Sequence, residues 1–138
     1  MKKKKKKLPT LASLKRKADT AFSVYIRTQD IDRNGTTECI TCGVRRRWQD
    51  MQAGHFISRS YLSTRFDPRN CHVQCPGCNG PAQGRIPEQV VYLESIYGAG
   101  IVQMLLYKRR ETIKFSRTDY MEMIERFNKG AEENLHGN

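Results

Sequence analysis

Four cysteines stand in two pairs of identical spacing, Cys39-Ile-Thr-Cys42 and Cys75-Pro-Gly-Cys78. A CxxC turn brings its two sulfurs close enough to share one ion, and two such turns complete the tetrahedral thiolate shell of a structural Zn²⁺ site. Gly43 and Gly77 give the backbone freedom to turn amide groups towards the sulfurs. The competing reading is two unrelated reduced turns or a redox pair. A four-thiolate shell is closed and has no position for water, so the zinc expected here holds structure and any chemistry falls to other residues. Cys71 lies outside both pairs and reads as a small buried hydrophobe.

Those other residues lie between the pairs and just after them: Gly54-His55-Phe56, Asn70-Cys71-His72, and Asn79 directly behind Cys78. A neutral imidazole takes a proton from water, and an amide oxygen can ligate a hard cation. Taken singly, His55 or His72 reads more readily as a structural histidine than as a catalytic one; the grouping is what points to chemistry. The same stretch is basic. Seven arginines (45, 46, 47, 59, 65, 69 and 85) stand against only Asp50 and Asp67. A guanidinium grips phosphate through two parallel hydrogen bonds, so Arg59 and Arg65 could flank a scissile phosphate, with Arg45, Arg46, Arg47 and Arg69 extending a DNA-binding surface. The bland alternative is a solvated loop. Trp48 beside the arginine triplet could stack on an exposed base or sit in the core. Asp30 to Gly35 opens like a calcium loop, but the twelfth position is Thr41 where a bidentate Glu is required, so calcium is rejected for a turn at Asn34-Gly35.

Taken together, Cys39-Ile-Thr-Cys42-Gly43, Ala53-Gly54-His55-Phe56, Leu62 to Phe66 with its Arg65-Phe66 pair, Asn70-Cys71-His72-Val73-Gln74-Cys75 and Cys78-Asn79 resemble the HNH nucleases that carry an added zinc. Within them they resemble the phage recombination proteins of the NinG/Rap family. The resemblance runs from about Phe22 to Gly98, with a weaker echo in the last helix. It implies a ββα-metal centre in which His55 is the general base, Asn70 steadies the loop between strand and helix, and Asn79 ligates one catalytic Mg²⁺ or Mn²⁺. It further implies a DNA endonuclease acting on Holliday junctions, D-loops or other branches in the cytoplasm of a phage-infected bacterium, with a homodimer as the natural way to pair two cuts. Two positions depart from the general pattern: Gly54 stands where an acid usually precedes the base, and the third position is Asn rather than His. His72, two residues from Asn70, becomes an expected extra ligand or phosphate contact, and Asp50 or Asp67 a replacement acid. The rival readings are a non-catalytic zinc-stapled DNA-binding module and an HNH nuclease of linear duplex.

The elements that must position these groups are legible in the apolar spacing. Leu11, Leu14, Ala18, Ala21, Phe22 and Tyr25 recur on one face of a helix from Leu11 to about Thr28. Short strands are expected near Met51 to Ile57 and Asn70 to Gln74, a helix after Pro87 from Glu88 to Tyr97, and another from Val102 to Lys108. Ser116-Arg-Thr-Asp119 matches a capping box for a last helix that should fray near Gly130. The fold class expected is α+β, with the zinc-stapled ββα core that the resemblance implies set between an N-terminal helix and C-terminal helices. Residues 1–10 form a basic disordered arm and 11–130 one domain, with zinc and catalytic core in 36–85 and helices in 86–130. Residues 131–138 form a tail.

At 138 residues the chain is one domain's length, and its net charge of +11 favours a polyanionic partner. Nine of the 25 basic residues fall in the first 17 positions, leaving 16 against 14 acids elsewhere, so much of the charge is an arm that either tethers DNA or is merely solvated. No apolar run follows the lysines, which argues against a secretory signal or membrane span and for an intracellular protein with reduced thiols.

Overall fold

The computed structural model describes residues 1–137. Helix α1 (Leu11–Thr28) starts where the Thr10 side chain accepts a hydrogen bond from the Ser13 amide, and it buries Leu14, Ala18, Ala21, Phe22 and Ile26. At the other end of the chain the Ser116–Asp119 capping box is fully formed and opens the last helix, Arg117–His136. These two helices pack along each other, with Phe22 and Phe127 ring centroids 4.9 Å apart. The last helix does not fray at Gly130. A Cβ there would lie 2.8 Å from the Tyr25 ring, so the glycine lets the two helices approach closely, and Ala131 beyond it is buried. Most of the expected tail is thus helical; Asn138 lies outside the described residues.

Between these helices lie two antiparallel hairpins. Strand β1 (Thr36–Glu38) pairs with β2 (Arg45–Arg47), bracketing the first CxxC turn, where Gly43 takes φ +78°. Strand β3 (Gln52–His55) pairs with β4 (Cys71–Gln74), setting Gly54 opposite His72 and His55 opposite Cys71. The second hairpin matches the expected strands, trimmed at both ends, and Asn70 falls in a 3₁₀ turn before β4. The first hairpin was not expected: three-residue strands are too short to show alternation. One-turn helices α2 (Leu62–Arg65) and α3 (Pro76–Asn79) lie in the β3–β4 connection and directly after β4. The chain order here is therefore strand, one-turn helix, strand, one-turn helix, with the two strands paired as a hairpin.

Helices α4 (Ile86–Tyr97) and α5 (Ile101–Lys108) follow, separated at Gly98 with φ +95°, and the last helix is α6. Leu93, Ile101 and Leu105 close a small apolar cluster over Ile57, apart from the main core around Phe22, Phe66 and Phe127. Residues 1–10 carry no helix or strand. No single helix among the described residues is long and apolar enough to cross a membrane, although α4 and α5, bent by 108°, reach that length and apolarity as a pair.

Candidate functional site

The two CxxC turns meet. The sulfurs of Cys39, Cys42, Cys75 and Cys78 all lie within 4.8 Å of one another, three of them buried. Backbone pairing sets this geometry: the Ile40 amide donates to the Val73 carbonyl, stitching the first turn to β4, and Cys75 opens α3 immediately after the strand. Burial alone would raise the Cys39 pKa, but the Thr41 hydroxyl and the amides of Cys75, Cys42 and Thr41 point at its sulfur and bring it down to about 6. Four soft donors at this separation, one already stabilised as thiolate, fit a tetrahedral Zn²⁺.

His55 ends β3. Its Nε2 lies 2.8 Å from the carbonyl oxygen of Arg65. A carbonyl only accepts, so Nε2 carries the hydrogen and Nδ1 keeps its lone pair as an acceptor. The ring packs against Phe22, and burial lowers its pKa; the carbonyl bond opposes this, while the charges of Arg59 and Arg65 add to the lowering. His55 is therefore a neutral imidazole at pH 7, with the Cys71 thiol as a weak neighbour 3.7 Å from Nδ1. Burial holds that thiol well above the ordinary cysteine pKa, so it stays protonated.

Around His55 opens a pocket of about 510 Å³, lined by Gln52 and His55, by Asp19, Ser23 and Arg27 of α1, and by Arg59 and Asn79. The Asn79 Nδ2 donates to Gln52 Oε1 at 2.9 Å, which leaves Asn79 Oδ1 as the atom able to accept or ligate. Asn70 is fully buried nearby: its Oδ1 accepts from the Ile57 amide, and its Nδ2 donates to the carbonyls of Ile57 and Thr64. It pins both ends of the β3–β4 connection and presents no atom to the pocket.

His72 is not brought to His55. Paired residues share a face and neighbours alternate, so His72 shares the face of Gly54, and His55 lies on the other side with Cys71. There His72 Nε2 meets the Tyr97 hydroxyl at 2.9 Å, Tyr92 packs edge-on, and Nδ1 is buried without a partner. Burial pushes its pKa down to about 4. It borders a separate cavity of about 370 Å³ with Ile26, Cys39 and Tyr92.

The arginines divide likewise. Arg65 turns inwards, its Nε 2.9 Å from Asp19 Oδ1 and its Nη2 on the other carboxylate oxygen, while Nη1 donates to the Arg59 carbonyl. With its backbone holding His55 and its side chain holding α1, Arg65 positions the site instead of offering a guanidinium to phosphate. Arg69 and Lys108 both engage Asp67, Arg47 engages Asp50, and Arg45 engages Asp32 and Glu38. Arg46 is exposed on β2, and Arg59 borders the His55 pocket. Asp50 and Asp67 are thus committed elsewhere, and neither replaces the missing acid. Trp48 has the Arg27 guanidinium over its ring at 5.1 Å, so that face is already covered. The residues missed from sequence are Asp19, Ser23, Arg27 and Gln52. The first three recur at four-residue steps, a polar stripe on α1 that the apolar periodicity had overshadowed.

The class defined by fold and site is a small α+β protein with a four-cysteine cluster that could hold zinc, beside a histidine-bearing polar pocket. A family model described as "Bacteriophage Lambda NinG protein" matches residues 1–135, and the chain belongs to this NinG family. Protein ninG of Salmonella phage P22 is 29% identical over 116 residues, covering 79% of this chain and 55% of that protein. The chain therefore spans about half the length of this curated relative. No solved structure matches.

Proposed function

We propose that this protein is a zinc-stapled, metal-dependent DNA endonuclease of the HNH (ββα-metal) type. The observation that carries the reading is the fixed tautomer of His55: Nε2–H is committed to the Arg65 carbonyl, and basic Nδ1 remains on a ring kept neutral by burial in the wall of a polar pocket. Such a nitrogen can take the proton of a water attacking phosphorus, in a phosphodiester hydrolysis leaving 5′-phosphate and 3′-hydroxyl ends. Asn70 and Arg65 hold the ring's surroundings, and Asn79 Oδ1 would ligate one Mg²⁺ or Mn²⁺. Hard divalent ions with few protein ligands take the rest of their shell from water and substrate phosphate, which is compatible with this donor set. When bound, the ion supplies positive charge for the phosphate and the leaving oxygen. Branched recombination intermediates are the proposed substrate on the strength of the family resemblance, and paired cutting by a homodimer goes with them.

One observation favours a second reading, a non-catalytic DNA-binding module. Asp19 is the lone carboxylate lining the pocket among the described residues, and both its oxygens are engaged by Arg65, so the protein side of the metal shell is amide oxygen. Cleavage of end-labelled four-way junctions, D-loops and linear duplex with Mg²⁺ or Mn²⁺ separates the two. Wild type should cut, and zinc-loaded His55→Ala should lose at least 100-fold in rate, on the order expected for a general base, while still binding. Salt-sensitive binding with no cutting by either protein under any metal would establish the second reading.

A further inference from the structure

Arg27 lies in the last turn of α1 and half-buried in the wall of the His55 pocket. Its Nε donates to the carbonyl and hydroxyl of Ser23 at 3.2 and 3.1 Å, its Nη1 reaches the Trp48 carbonyl at 3.4 Å, and its guanidinium lies over the Trp48 ring. None of these partners is charged. Among the described residues Arg27 has no carboxylate within ion-pair distance, whereas Arg45, Arg47, Arg65 and Arg69 all have one. A guanidinium held in place by neutral acceptors and an aromatic face keeps its full charge for something outside the fold. The hydrogen bonds leave Nη2 unused.

We infer that Arg27, held over Trp48, is an anchor for a backbone phosphate of nucleic acid entering the His55 pocket. The inference rests on the reading of that pocket as a DNA site and adds a contact from α1. Burial lowers the pKa of Arg27 with no compensating acid, which marks a group whose charge is not there for stability of the free protein. A planar, preoriented fork also suits phosphate better than a mobile ammonium. Arg59 borders the same pocket and provides a second cation to it.

The test separates charge from packing and does not depend on cutting. Affinity for a fluorescent four-way junction is measured over a NaCl series without added divalent ion, for wild type, Arg27→Met and Arg27→Lys. Each protein is zinc-loaded and held well below its melting temperature. Met can still cover Trp48 but carries no charge. Loss of one phosphate contact should reduce the slope of log K against log[salt] by about 0.9 in Arg27→Met. Affinity at low salt should fall roughly 10-fold, and Arg27→Lys should recover the slope but not the full affinity. A slope and affinity unchanged in Arg27→Met would overturn the inference, as would a wild type that binds no DNA at any salt. Because binding is read without cleavage, a catalytically inert wild type with an Arg27-dependent slope would sink the endonuclease reading and leave this one standing.

Discussion

The two nitrogens of His55 are unequal, Nε2 committed to a carbonyl and Nδ1 met only by the weak Cys71 thiol, and the ring's burial fixes the sign of its pH behaviour. Burial, aided by Arg59 and Arg65, places its pKa below the ordinary value, so the neutral form survives into mildly acidic solution. If this ring is the base, the cleavage rate under saturating metal should be flat from about pH 8 to about 6.5, the unperturbed histidine value, and fall only below it. A limb centred above 6.5 would mean that another group limits the rate. The same ring depends on Arg65 twice over, through the carbonyl that orients it and through the ion pair with Asp19. That pair is bidentate, with side chains only 14% and 19% exposed. Asp19→Asn strands a largely buried guanidinium and should cost about 2 kcal/mol in urea unfolding, between the values for exposed and fully buried pairs. A loss below about 0.5 kcal/mol would show that solvent screens the pair as it does on an open surface. Nothing in local sequence links residues 19 and 65; the pairing exists because α1 crosses behind the hairpin, which is why sequence reasoning assigned Arg65 to phosphate.

At the scale of elements, the β3–β4 hairpin explains the glycine that stands before the base. A Cβ on Gly54 would lie 2.0 Å from Gln74 Oε1 and 2.7 Å from its Cδ. Gln74 is fully buried and its Nε2 donates to the Gly84 carbonyl at 2.8 Å, tying β4 to the turn after α3. An acidic side chain at position 54 has no room, and it would face away from His55. Gly54→Ala must displace Gln74 and should lower stability by roughly 1–3 kcal/mol, the usual range for overpacking; an unchanged melting temperature in the zinc-loaded variant would refute this account. This hairpin was legible because its strands are longer and flanked by turn residues, and α1, α4 and α5 were legible because their apolar residues recur at helical steps. The β1–β2 hairpin was not, since its three residue pairs flank the cysteine turn and Arg45, Arg46 and Arg47 are all exposed. Gly130 was misread as a stop because its close approach to Tyr25 joins residues more than a hundred positions apart, and such contacts leave no local signal.

For the whole molecule, the β3–β4 hairpin divides two environments, with His55 facing α1 and His72 facing α4, and the buried histidine sets how the fold responds to acid. In the unfolded chain His72 protonates near pH 6.5; in the fold burial holds its pKa at about 4. Its neutral form therefore contributes stability that is present above pH 6.5 and is lost as pH falls towards 4, because the unfolded state takes up the proton first. The full difference is at most about 3.4 kcal/mol at 1.36 kcal/mol per pH unit. Burial works against Asp67, but bonds from Arg69 and Lys108 outweigh it and hold that carboxyl at about 2. Its contribution persists down to about pH 4 and is lost only below, so the two groups occupy separate windows. Acid also competes with zinc for the four thiolates, so stability is best compared between wild type and His72→Phe with zinc content measured at each pH. The Phe ring can occupy the slot between Tyr92 and Tyr97 without a titrating nitrogen. From pH 7.5 to 4.5 wild type should lose about 2 kcal/mol more than the variant in urea unfolding, with most of the divergence below pH 6.5. Parallel curves would mean that His72 is solvated enough to titrate normally, and that acid sensitivity belongs to the zinc cluster and the other groups common to both proteins, His55 among them.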